Sequence, residues 1–234
     1  MTRILLTILT TLTINMTAFG QLDFGLKANF GLSRLSTKLT TSQQLTQKFH
    51  FVPSGQGGLF YNLHLREKFL IGAELLLIQI EGKEYLEIPS TDINGNLTGE
   101  VGTDNIWRHI TYFGLPIYFG YNFKKLNVNI GLQTNFTLAS SGREKGQVPD
   151  GYGGIATWDN KFSKLGIDDL DYGARAGLIF QHTDKFSLEI IYYYGINNIL
   201  KDEIISKNLN WKWKVQQMTI GLRYKFISFG GEKN

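Results

Sequence analysis

The chain has no cysteine, only 4 prolines and, beyond Gly20, no apolar run of membrane-helix length. Without thiols it makes no disulfide, and no lipid can be attached through a cysteine at a signal-cleavage point. The longest apolar stretch, Phe69 to Ile80, is interrupted by Gly72, Glu74 and Gln79. It falls well short of the roughly 20 residues that a transmembrane helix requires. Charge of one sign is scarce too. The net charge of +4, one unit of it from Arg3, is dispersed along the chain, which argues against nucleic acid as a partner. The histidines, His50, His64, His109 and His182, show no metal-ligand spacing, so neither a metal nor another cofactor is expected.

Glycine (26 residues) and aromatics (13%) are plentiful, a composition suited to strands, turns and aromatic edges. At the start, Arg3, the short apolar stretch from Ile4 to Leu12 with Ile14, and the small residues of Thr17-Ala18-Phe19-Gly20 read as an export signal cleaved after Gly20. Residues 21–234 then form one domain.

Period-two alternation recurs through that domain. Leu22, Phe24, Leu26, Ala28, Phe30 and Leu32 alternate with polar residues or glycine, and so do Leu126 to Phe136, Tyr172 to Phe180 and Met218 to Phe226. These runs exceed the usual five or six residues of a soluble strand and match the roughly 9–11 that a tilted strand needs to cross hydrocarbon. Eight strands are expected, near 21–35, 54–65, 68–80, 107–123, 126–139, 170–182, 185–196 and 211–229. Three links are tight: Arg66-Glu67, Lys124-Lys125 and Thr183-Asp184. Four are long: 36–53, 81–106, 140–169 and 197–210. Their strict alternation places every tight turn at one end and every long loop at the other, the asymmetry of outer-membrane barrels. The fold class is therefore all-β, an eight-stranded antiparallel up-and-down transmembrane barrel with both termini in the periplasm. Tyr118, Phe119, Tyr121, Phe123, Phe69, Phe186, Tyr224 and Phe226 are expected in a lower aromatic belt, and Tyr85, Trp107, Tyr192 and Trp213 in an upper one.

The opening Gln21 to Asn29, the segment Phe113 to Phe123, and the closing Asp171 to Gly177 and Ile220 to Phe226 resemble the PorT-like outer-membrane β-barrel family of Bacteroidota. The resemblance implies an outer-membrane barrel, and its name-giving member implies a role in protein secretion. It carries over no functional residue.

Strand parity turns Lys27, Glu74, Arg175, Glu189, Arg223 and Lys225 inward, where buried charges must pair. They are expected to form a salt-bridged plug, since an eight-stranded barrel has room only for its own side chains. Leu76, Ile78 and Ile80 share the parity of Glu74, so a bulge or register shift is expected there. His109 and Thr111 share the lipid-facing parity and resemble the His-x-Ser pair of outer-membrane lipid A deacylases, but with threonine as the hydroxyl. Asp92 to Asn96 opens like a calcium loop and fails at Leu97 and Thr103. Asn94-Gly95 instead suits a hairpin turn that prolongs strands three and four. The third long loop combines Gly142, Gly146, Gly151, Gly153 and Gly154 with Tyr152, Trp158 and Phe162. It is either a recognition surface or a cover over the barrel mouth. The expected function is non-enzymatic binding or assembly through the outer loops, with outer-membrane lipid and other envelope proteins or surface ligands as partners. A lipid-modifying enzyme and a narrow channel are the alternatives.

Overall fold

The computed structural model describes residues 20–40, 46–65, 68–91, 97–149, 154–201 and 210–229. The expected cleavable signal, the Arg66-Glu67 and Asn94-Gly95 turns and Tyr152 lie outside these residues. The described chain is all β: β1 Gly20–Thr40, β2 Thr46–His50, β3 Val52–Leu65, β4 Phe69–Thr91, β5 Leu97–Phe123, β6 Leu126–Pro149, β7 Ile155–Phe162, β8 Leu170–Gln181, β9 Phe186–Gly195 and β10 Asn210–Phe229.

Eight of these strands close on themselves. β1 pairs with β3, then follow β4, β5, β6, β8, β9 and β10, and β10 returns antiparallel to β1. Closure leaves no barrel strand with an open edge, which is the condition for crossing hydrocarbon with strands. The ring follows from the alternation. Apolar residues such as Phe30, Leu77, Ile117, Ile130, Leu132 and Ile220 stand on the outer face, and Lys27, Asn29, Glu74, Gln133 and Thr219 are buried inside.

Two features here depart from the sequence reading and one agrees with it. The long links are largely strand. β4, β5 and β6 run on well past the span that hydrocarbon requires, and β2 joins β4 while β7 joins β6. The expected hairpin of strands three and four is present in its flanks, where Thr91 pairs with Leu97. The third barrel strand has no bulge around Leu76 to Ile80, for β4 keeps one register against β3 from Phe69 to Gln79. Both of its faces are apolar because Leu75 and Leu77 meet lipid while Leu76, Ile78 and Ile80 enter an internal hydrophobic layer. Ladder irregularities fall instead at Phe24/Gly25, Thr111/Tyr112 and Pro89/Thr91.

The aromatic belts lose two members. Tyr118 and Trp213 point into the barrel and are buried. The lower belt otherwise stands as a set of touching rings, Phe69 with Phe119 and Tyr121, Tyr121 with Phe123, and Tyr224 with Phe186 and Phe226. Near the opposite rim the aromatics meet cations: Arg34 over Phe51, Lys48 over Tyr85, Lys83 over Trp107 and Lys214 over Tyr194, at 4.8, 5.8, 5.3 and 5.5 Å from the ring centres.

Candidate functional site: the layered interior and the outer sheet

Inward-facing positions of neighbouring strands fall at matching heights, so the interior is built in layers. The middle layer is ionic. Lys27 of β1 reaches both acids, 3.0 Å from Glu74 of β4 and 2.5 Å from Glu189 of β9. Glu74 also meets Arg175 of β8 at 3.1 Å and Arg223 of β10 at 3.6 Å, and Arg223 meets Glu189 at 3.6 Å. All five side chains are shielded from solvent. Five of the six charges assigned inward by parity thus converge. The sixth, Lys225, sits lower, 3.3 Å from Asp23 at the tight-turn mouth and partly exposed. The reason is height along β10, since Lys225 is two residues nearer the barrel end than Arg223.

Two aromatic rings complete this layer and escaped the sequence reading. Arg175 lies over the Tyr118 ring at 4.3 Å, and Arg223 over Phe60 at 4.0 Å. The Tyr118 hydroxyl donates to Asn62 Oδ1 at 2.8 Å and accepts from Arg223 at 2.9 Å. Tyr118 can cross the lumen because its ladder partner is Gly72, where a Cβ would fall 2.1 Å from the ring. That glycine opposite an aromatic was the one available signal for it. Stacking lets a guanidinium keep a partner above its plane while its edge serves carboxylates.

Above the ionic layer comes a polar one, where Asp171 accepts from Tyr193 Oη at 2.8 Å and from Asn135 at 3.0 Å. Above that the interior turns apolar: Leu35, Leu76, Ile78, Ile80, Ile110, Tyr112, Trp213 and Val215 pack with Leu165, Ile167, Ile199 and Leu200. The last four come from segments folded into the mouth. They are fastened by the Ile167 to Leu200 bridge and by the bonds from Asp168 N to Ile199 O, 2.8 Å, and from Lys201 N to Gly166 O, 3.1 Å. The third long link therefore divides: 163–169 covers the mouth, and β6 with β7 rises beyond it. Of the candidate recognition residues, Phe162 is exposed on β7, whereas Trp158 is half-buried against Gly146.

The outer sheet has its own electrostatics. Arg108 bonds Glu84 at 2.6 Å and stacks on Trp213. Arg143 grips Asp159 through two bonds of 2.8 and 2.6 Å across the β6 to β7 ladder. Asp104 is buried beside Glu144. Burial first, then the neighbouring Glu144 and Glu84 charges, push its carboxyl up to about 6. On the lipid-facing rim, His109 Nε2 lies 3.4 Å from Thr111 Oγ1 and its Nδ1 lies 3.5 Å from Glu81. Both contacts are at the long limit for a hydrogen bond, and His109 and Glu81 stand well exposed. No group of three metal-binding side chains occurs among the described residues.

A family model described as outer membrane protein beta-barrel domain matches residues 15–201. The chain belongs to this family. It is an outer membrane β-barrel, so its tight turns and both strand ends at Gly20 and Phe229 face the periplasm and its long β4–β7 sheet faces outward. No curated protein matches its sequence. Among solved structures, the barrel is similar to the surface protein NspA of Neisseria, at 10% identity over 87% of this chain and 97% of that one, TM-score 0.39. It is also similar to the attachment protein Ail of Yersinia pestis, at 13% over 89% and 99%, TM-score 0.40. A third is the protease OmpT of Escherichia coli, at 9% over 87% and 97%, TM-score 0.42.

Proposed function

We propose that this barrel acts by binding, through the sheet that β2 and β4–β7 raise above the membrane, and not by transport or catalysis. The observation that carries this reading is where the chain invests its exposed surface. The lumen is occupied by a shielded ionic layer beneath an apolar cap. β5, 27 residues long, carries an outer half that serves no membrane crossing, at roughly 9–11 residues per span. That half pairs with β6, which β7 widens, and presents Trp107, Val101, Ile155 and Phe162 to solvent. Aromatic and apolar groups on a rigid sheet are suited to recognising another macromolecule.

The partner in this reading is an envelope protein or surface ligand. The PorT-like resemblance makes an accessory role in protein secretion or outer-membrane assembly one specific form of it. Cross-linking on intact cells with a membrane-impermeant amine reagent tests the proposal. The wild type should yield discrete adducts. A variant with Lys145–Asp159 replaced by an Asn-Gly turn should fold and lose them. Adducts unchanged by that shortening would refute the sheet as the binding surface.

A further inference from the structure

We propose that the periplasmic end of the barrel holds a second site, a cup that binds a compact oxyanion, phosphate or carboxylate, presented from the periplasm. A cavity of about 280 Å³ opens there, inside the strand ring. Among the described residues its ionisable lining is Lys124, Lys125, Lys185, Lys225, Arg223 and His64 against Asp23 and Asp184.

The floor of the cup is Arg223, only 2% exposed. One nitrogen, Nη2, is engaged by Tyr118 and by Glu74. Its Nε and Nη1 make no hydrogen bond among the described residues, although Nη1 lies 3.6 Å from Glu189. The ionic layer to which it belongs sets three cations, Lys27, Arg175 and Arg223, against two acids, Glu74 and Glu189. A buried excess of one positive charge raises the potential at the base of the cup, and low-dielectric walls focus it.

The wall adds to it. Asp23 is already committed to His64 at 2.9 Å and to Lys225 at 3.3 Å, and Ser228 donates to it at 2.5 Å. Lys124, Lys125 and Lys185 form no ion pair among the described residues and stand on two adjacent tight turns. The chain fixes those turns at one rim: Gln181 N bonds Lys125 O and Lys225 N bonds Lys185 O, both at 2.8 Å. A buried guanidinium charge at the base with ammonium groups at the rim above it suits a compact oxyanion held by charge-assisted bonds to the lysines. Lipid headgroups surround the outside of the strand ring, whereas this cup opens along the axis within it. The geometry therefore assigns it to a soluble oxyanion.

The test titrates inorganic phosphate, and separately succinate, into the folded full-length barrel in neutral detergent at low ionic strength, read by calorimetry. Saturable binding that weakens as salt is added is expected. K124E/K125E/K185E, all on exposed turns, should weaken it by at least about tenfold, or 1.4 kcal/mol. K145E/K161E on the outer sheet should leave it unchanged. Absence of saturable binding, or equal loss in both variants, would overturn the site. Repeating the titration in discs of zwitterionic lipid, with and without phosphatidylglycerol, separates the sources. Undiminished phosphate binding in the anionic discs supports a soluble ligand, and competition there overturns that assignment in favour of a headgroup. Failure of the cross-linking experiment on the outer sheet would leave this outcome untouched.

Discussion

Lys27 Nζ stands 2.5 Å from Glu189 Oε1 with both side chains wholly shielded from solvent. A contact of that kind is weak evidence for added stability, because desolvating two charges offsets most of their attraction. Breaking it is another matter, since the surviving charge keeps its burial and loses its partner. Glu189→Ala leaves three buried cations facing Glu74 alone and should cost about 3–5 kcal/mol of unfolding free energy. Glu87→Ala, whose partner Lys48 lies 3.4 Å away at the exposed rim, should cost less than about 1 kcal/mol. Denaturant unfolding in lipid vesicles reads both. Equal small losses would mean that Glu189 meets water.

Transport makes a separate claim on the lumen. The ionic layer and the apolar cap of Leu165, Ile167, Ile199 and Leu200 lie in series along one axis. Purified wild-type protein should show no steady single-channel current in a planar bilayer. Reproducible unit steps would contradict the binding reading directly.

The rim pair tests catalysis. If His109 and Thr111 are interfacial polar residues, replacing both by alanine leaves the acylation pattern of the outer-leaflet glycolipid unchanged, as mass spectrometry of lipid extracts would show. A mass change on deletion of the protein, reproduced by His109→Ala, would establish an acyl-transfer or hydrolysis site there.

Asp104 gives the outer sheet a pH dependence whose sign can be worked out. Its folded carboxyl titrates at about 6, above the roughly 3.9 of an unfolded aspartate. Between those values the folded sheet holds the proton more tightly, so its stability rises as pH falls through the window. Protease digestion of β5–β7 on intact cells should be slower at pH 5 than at pH 7.5. Asp104→Asn should remove the difference and give the slow rate at both.

The barrel was legible in the sequence where lipid outside and polar groups inside impose opposite demands on adjacent residues. That contrast marks Leu26 against Lys27 and Ile190 against Glu189, and with it the inward charges. It fades in two places. Above the membrane both faces of β5 and β6 meet water or polar neighbours, so 97–106 and 140–149 read as loop although they form ladders. Inside the upper barrel both faces are apolar, so Leu76, Ile78 and Ile80 suggested a register fault where the strand is regular. Tyr118 and Trp213 were misplaced for a related reason. An aromatic near a strand end suits a headgroup belt and a lumen equally, and only its cross-strand partner decides.

The seam between β1 and β10 runs from Leu22 with Phe229 to Thr40 with Asn210 and joins the first described strand to the last. Its contacts are therefore among the most distant in sequence that the chain makes, and loop-closure entropy delays such contacts until late in folding. A nascent chain lacking its final twenty-odd residues has two open strand edges, on β1 and on β9, with nothing of its own to cover them. Completion of the last strand is therefore the step that removes both edges, and a chain interrupted upstream of Asn210 keeps them open to pairing with foreign strands.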